Sequence, residues 1–147
     1  LGVYPAVERA ASATASQVIG VVVGFEPDYS NLNTGAYRAA STRRVAFVAD
    51  SPDLIFAVPQ DGTGGVVAAA SVGLNCDIVV GTGASTAPYA STQMIDSSQV
   101  ATTSTLPVQI VGVVASPEND VTSTSRPAEL LVRINTHAFG GAGVAGV

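Results

Sequence analysis

The stretch "DSPDLIFAVPQDGTGG", residues 50–65, sets three aspartates and a glycine cluster around a short apolar run. Three chemistries fit such a pattern in principle: a cation on carboxylate oxygens, a phosphate on glycine amides, or acid–base work by paired carboxylates. A calcium loop needs oxygen ligands at several further spaced positions, and here Leu54, Ile55 and Phe56 follow Asp53 instead. The "DGTGG" cluster lacks the lysine of a phosphate loop and does not open a helix. Asp50-Ser51 and Asp96-Ser97 invite comparison with an aspartic dyad, but the glycine that marks such a motif is missing after each. Turn chemistry remains. Pro52 fixes one backbone angle and the neighbouring aspartates accept turn hydrogen bonds.

The other reactive residues are single. His137 is the only histidine, no serine sits in a G-x-S-x-G elbow, and the flexible "AFGGAGVAGV" that follows His137 is poor support for a preorganised base. A surface or interface histidine is the expectation. Cys76 is the only cysteine, which excludes an internal disulfide and a zinc cluster and suits a small buried apolar residue. No cofactor, metal or catalytic set is expected.

The elements that must carry these residues read as short strands. "QVIGVVVGF" (17–25), "RRVAFVA" (43–49), "DLIFAVP" (53–59), "CDIVVG" (76–81), "VQIVGVV" (108–114) and "ELLVRINT" (129–136) are rich in β-branched residues or alternate apolar and polar positions. One more strand is expected near 89–95, inside the Ser/Thr-rich 82–107. "VVAAASVGLN" (66–75) reads as a single helical turn or irregular chain. Without a convincing amphipathic helix, the pattern predicts one all-β domain over 17–136, a small antiparallel barrel or sandwich. An arm over 1–16 precedes it and a tail over 137–147 follows it. Val22, Val45, Phe47, Phe56, Ile78, Ile110, Leu130, Val132 and Ile134 are expected in the core.

Composition narrows the partners. The 147 residues carry a formal charge of −5, and all six basic residues are arginine. Nucleic acid and anionic membranes both require dense cationic surface, so neither is expected as a partner. No apolar run approaches the roughly 20 residues of a membrane helix, and no charged stretch precedes an apolar one at the start, so no signal peptide is expected. Only 12% of residues are charged, against about 25% in typical soluble domains. Part of the surface is therefore expected to lie against other protein. Tyrosine and arginine are the natural anchors of such contacts. Tyr4, Arg9, Tyr29, Tyr37, Arg38, Arg43, Arg44, Tyr89, His137 and Phe139 are the candidates, and residues 1–16 and 138–147 are expected to reach other chains.

The order of several short motifs resembles that of small tailed-phage virion proteins, the capsid decoration or cement proteins. The segments are "RRVAFVADSPDLIFAVPQDGTGG", "VGLNCDIVVGTGAS", "MIDSSQVATTSTLPVQIVGVVASPEND" and "ELLVRINTHAF", spanning 43–139. The markers are Asp50, Pro52, Phe56, Gly73, Asn75, Asp77, Asp96, Ala101, Thr102, Gly112, Pro117, Asn119, Asn135 and His137. The resemblance implies a non-enzymatic protein, assembled in the host cytoplasm onto the outer capsid surface of the virion. There it would clamp neighbouring major capsid protein subunits and associate with copies of itself. Two other readings stand beside it: a head fibre or surface protein that binds host glycans, and a hydrolase centred on His137.

Overall fold

Where apolar and polar residues alternate, one face of an extended chain can be buried while the other stays wet. The segment "ELLVRI" does this most plainly, with Leu130, Val132 and Ile134 buried and Glu129, Leu131 and Arg133 turned away. In the computed structural model, which describes residues 6–10, 17–32, 37–39, 41–67, 69–81, 91–122 and 128–147, seven such segments form strands. They are β1 (Val21–Phe25), β2 (Ala46–Ala49), β3 (Ile55–Pro59), β4 (Asn75–Val80), β5 (Gln93–Ala101), β6 (Val108–Val113) and β7 (Glu129–Ile134). A 3₁₀ turn, Ala69–Ser71, lies between β3 and β4. The architecture is all-β.

The strands make two antiparallel sheets. One has five strands in the order β3-β7-β6-β4-β5, and the other is the two-stranded ribbon β1-β2. The edge strands of the larger sheet approach at one point. Gln60, just after β3, bridges to Ile95 of β5, and the Asp61 amide donates to the Ile95 carbonyl at 2.9 Å. No ladder continues that contact, so the sheet curls without closing.

Residues from the curled sheet meet in one cluster of Val67, Cys76, Ile95, Val108, Ile110, Leu130 and Val132. Phe56, Val58, Ile78, Val100 and Val113 pack around it half-buried. Five of the nine expected core residues belong to this cluster or pack against it, and a sixth, Ile134, is buried beside it on β7. Val22, Val45 and Phe47 do not belong to it, because β1 and β2 pair with each other and leave the main sheet to itself. Phe47 is 52% exposed.

A long bulge in β5 gives Asp96 its place. Between the pairs Cys76–Val100 and Ile78–Ile95, β4 advances by two residues while β5 advances by five. The "DSSQ" of 96–99 therefore swings out of the ladder. Asp96 Oδ1 accepts from the Ser98 amide at 2.9 Å and the Ser98 hydroxyl at 2.6 Å, which holds the bulge in a tight turn. The Ser/Thr-rich composition that hid the C-terminal half of this strand is what the bulge needs.

Truncation separates the two sheets energetically. Ile110→Ala and Leu130→Ala each remove a fully buried side chain and should lower the unfolding free energy by about 2–5 kcal/mol. Phe47→Ala, on the exposed ribbon, should cost about 1 kcal/mol or less. Urea midpoints of the three variants test this, and a Phe47 loss equal to that of Ile110 would mean that the ribbon packs into the main core.

Candidate interaction surface

The ribbon is built from "VVVGF" and "AFVA", nine residues without a charge. Its register runs Val21–Ala49, Val22–Val48, Gly24–Phe47 and Phe25–Ala46, with Val23 left over as a bulge. Pleating then puts Val21 and Phe47 on one face and Val22 and Phe25 on the other. Val21, Val22, Val23 and Phe47 are all exposed, Val23 to 69%. Apolar side chains are thus offered on both faces. The root of the ribbon is tied to the body: the Val18 amide donates to the Thr136 carbonyl, and the Ala138 amide to the Val18 carbonyl, each at 3.0 Å.

At its far end the ribbon is stapled by Arg44. The guanidinium donates to the carbonyls of Tyr37, at 2.6 Å, and Glu26, and lies 5.4 Å from the centre of the Phe25 ring. Glu26, Asp28, Tyr29, Arg43 and Arg44 line an open cleft of about 440 Å³ beside it. Hydrogen bonds from the Ser30 hydroxyl and amide hold the Asp28 carboxyl below its ordinary range.

The ten expected contact residues therefore divide. Tyr29 is 85% exposed, and Arg43 is exposed with no hydrogen bond to any described residue. Both flank the cleft. Arg44 and the half-buried Tyr37 are committed to the staple, and Arg38 donates to the Thr42 carbonyl at 2.7 Å. Arg9 reaches the Gly81 carbonyl of its own chain at 3.3 Å. Phe139 is exposed. Tyr4 and Tyr89 lie outside the described residues.

His137 is not on the surface. It is 2% exposed, its Nδ1 accepts the Phe139 amide at 3.0 Å, and its Nε2 is sealed from solvent. The expected surface histidine is thus a buried packing group, and neither ring nitrogen is offered to a serine hydroxyl. Cys76 is fully buried, and burial pushes its thiol up to about 12, with Asp77 and Asp96 adding to the effect. Among the described residues no three His, Cys, Asp or Glu side chains gather where they could hold a metal.

The end of the tail has partners within its own chain. Residues 143–147 lie on their own domain: Asn75 Nδ2 donates to the Val144 carbonyl at 2.7 Å and the Gly146 amide to the Thr102 carbonyl at 3.0 Å. Sequence reasoning missed the amide side chains responsible. Asn75 and Asn135, at strand ends, and Asn119, in the β6–β7 connection, each bind backbone through two or three hydrogen bonds. Their signal was present, since an asparagine beside an apolar strand is either a turn former or a plug.

Asp61 answers the question of the first stretch. Its Oδ1 accepts from the Ser97 hydroxyl at 2.6 Å, the Ser97 amide at 3.0 Å and the Thr63 amide at 3.2 Å. The glycine turn is thereby sewn to the β5 bulge, with the Gly64 amide donating to Ser97 Oγ. No known relative adds to this picture: comparison with protein-family models, with curated proteins and with solved structures returns no match.

The Asp61 contacts predict a pH dependence. Partial burial raises its carboxyl, but the bonds from Ser97 and Thr63 outweigh that and leave it below the ordinary 3.8. A carboxyl lowered on folding stabilises the fold above its unfolded pKa and loses that contribution as pH falls through the folded one. Asp61→Asn should therefore be less stable than the parent at pH 7, with the gap closing below about pH 4. Denaturation midpoints of both proteins across pH 2–7 check the sign, and a gap that widens in acid contradicts it.

Proposed function

We propose that this chain is a structural virion protein that binds the outer surface of a tailed-phage capsid. Several copies clamp neighbouring major capsid protein subunits together. The observation that carries the proposal is the β1–β2 ribbon: uncharged, apolar on both faces, exposed, and rooted in a separately packed sheet. A two-stranded ribbon is marginal alone in water, and apolar edges of this kind invite pairing with another chain. The motif order over 43–139, which resembles that of decoration proteins, supports the same reading.

The physics of a clamp suits such a surface. A protein that binds the assembled lattice and not the separated subunits stabilises the lattice by mass action. Each contact is modest, and bridging two or more subunits raises the effective concentration of the rest. With so little charge in the ribbon, binding should survive raised salt, whereas contacts between charges are screened within about 10 Å at 0.1 M.

Heads lacking the protein test this. Added protein should co-sediment with them at both 0.1 M and 1 M salt and raise the temperature at which DNA is released. Val23→Glu and Phe47→Glu should weaken co-sedimentation at least tenfold while leaving the thermal melt of the free protein nearly unchanged, because each buries a charge in the contact. Equal release temperatures with and without the protein, or full binding by both ribbon variants, would remove the proposal.

A further inference from the structure

The last five residues, "GVAGV", are held as a peptide in a groove rather than as part of the core. The groove is formed by Gly73–Asn75, Thr102–Ser104 and Asn135. Four hydrogen bonds seat the segment. The Val144 amide donates to Asn135 Oδ1 at 2.9 Å and its carbonyl accepts from Asn75 Nδ2 at 2.7 Å. The Gly146 amide donates to the Thr102 carbonyl at 3.0 Å and the Val147 amide to the Gly73 carbonyl at 3.2 Å.

The groove is assembled by bonds that do not involve the segment. Asn75 Nδ2 also donates to the Thr103 carbonyl at 3.1 Å, and Asn135 Nδ2 to the Ser104 and Leu106 carbonyls at 3.1 and 3.0 Å. Such preorganisation lowers the cost of receiving a ligand. It is also selective. A Cβ at position 143 would stand 2.1 Å from the Ser104 carbonyl oxygen, and one at 146 would stand 2.9 Å from the Gly73 carbonyl oxygen. The site accepts glycine three residues apart, with the side chains between and after them turned outward.

Holding is light. Val144 is 60% exposed and Val147 93%, so release exposes little new apolar surface and costs mainly a few solvent-accessible hydrogen bonds. The connection is suited to swing: Gly140, Gly141 and Ala142 are exposed, and Gly141 sits at φ +85° with open space around it.

The same segment from a second copy would make the same four hydrogen bonds in the same groove. Only linker entropy and local concentration distinguish the closed form from the exchanged one. We infer that the groove receives residues 143–147 of a second copy, so that neighbouring chains exchange tails when they are crowded. The inference stands apart from the capsid reading, although exchanged tails would give such a clamp its links between copies.

The test uses purified full-length protein, so its failure leaves head binding untouched and the reverse also holds. One sample carries Thr102→Cys labelled with a donor dye and another Ala145→Cys labelled with an acceptor, both at exposed positions. Cys76 stays unlabelled because it is fully buried and its thiol is pushed up to about 12. On mixing, energy transfer should appear and grow with concentration towards the millimolar range, where a tethered tail and a free one compete. Gly146→Val in the acceptor chain should reduce the transfer at least tenfold, since the added side chain collides with the groove. Absence of concentration-dependent transfer up to about 1 mM would overturn the inference. So would transfer indifferent to Gly146→Val, which would report contact elsewhere.

Discussion

Backbone amides and carbonyls without a strand partner are the constraint on which the rest of this structure depends. Buried polar backbone must be satisfied, and a sheet satisfies only what lies in its ladders. Here the backbone groups of several connections are met by side-chain amides. Asn119 closes the β6–β7 connection by donating to the carbonyls of Val114 and Glu129 while accepting the Glu129 amide. Gln60, fully buried, accepts the Val67 amide at 2.8 Å and so brings Val67 into the core cluster. Asn75 and Asn135 do the same for the loop before β6 and for the tail. Removing one of the three asparagines would strand two or three backbone groups at once, which costs more than the loss of one average hydrogen bond.

This constraint explains the residues on which the family resemblance rests. Asn75, Asn119 and Asn135 are backbone plugs, Asp96 caps a bulge, and His137 packs beneath Gly140 with its ring accepting the Phe139 amide. All five hold backbone in place within the fold.

The scaffold was legible in the sequence to the extent that periodicity reports burial. Six strands fall on or beside the segments that alternation and β-branched content mark, β5 overlaps its expected 89–95 only at 93–95, and β7 shows the inward set Leu130, Val132 and Ile134 as its pattern requires. The ribbon was legible as strands but not as surface. "VVVGF" is apolar on both faces, so its period does not say which face is covered, and among the described residues no third strand lies beside it to cover Val22 and Phe47. The rest depended on long-range contact. Whether His137 is buried, where Arg44 points, and what holds "GVAGV" are decided by segments as distant as Gly73 and Glu26, which no local window contains.

The hydrophobic content and the modest core now reconcile. Of a chain that is 47% hydrophobic, the described core cluster uses seven buried residues, and the ribbon keeps four large apolar side chains in water. Fully covering one valine or phenylalanine is worth about 1.5–3 kcal/mol, so half-covering the four yields several kcal/mol before association costs are subtracted. That balance places a single ribbon contact in a weak range, since association itself costs about 4–15 kcal/mol. A surface so poised holds little on a lone partner and much on a repeated one. The ribbon's nine residues contribute nothing to the net charge of −5, so the proposed contact face is free of charge repulsion. Weak single contacts that gain strength through repetition are what the proposed lattice binding requires.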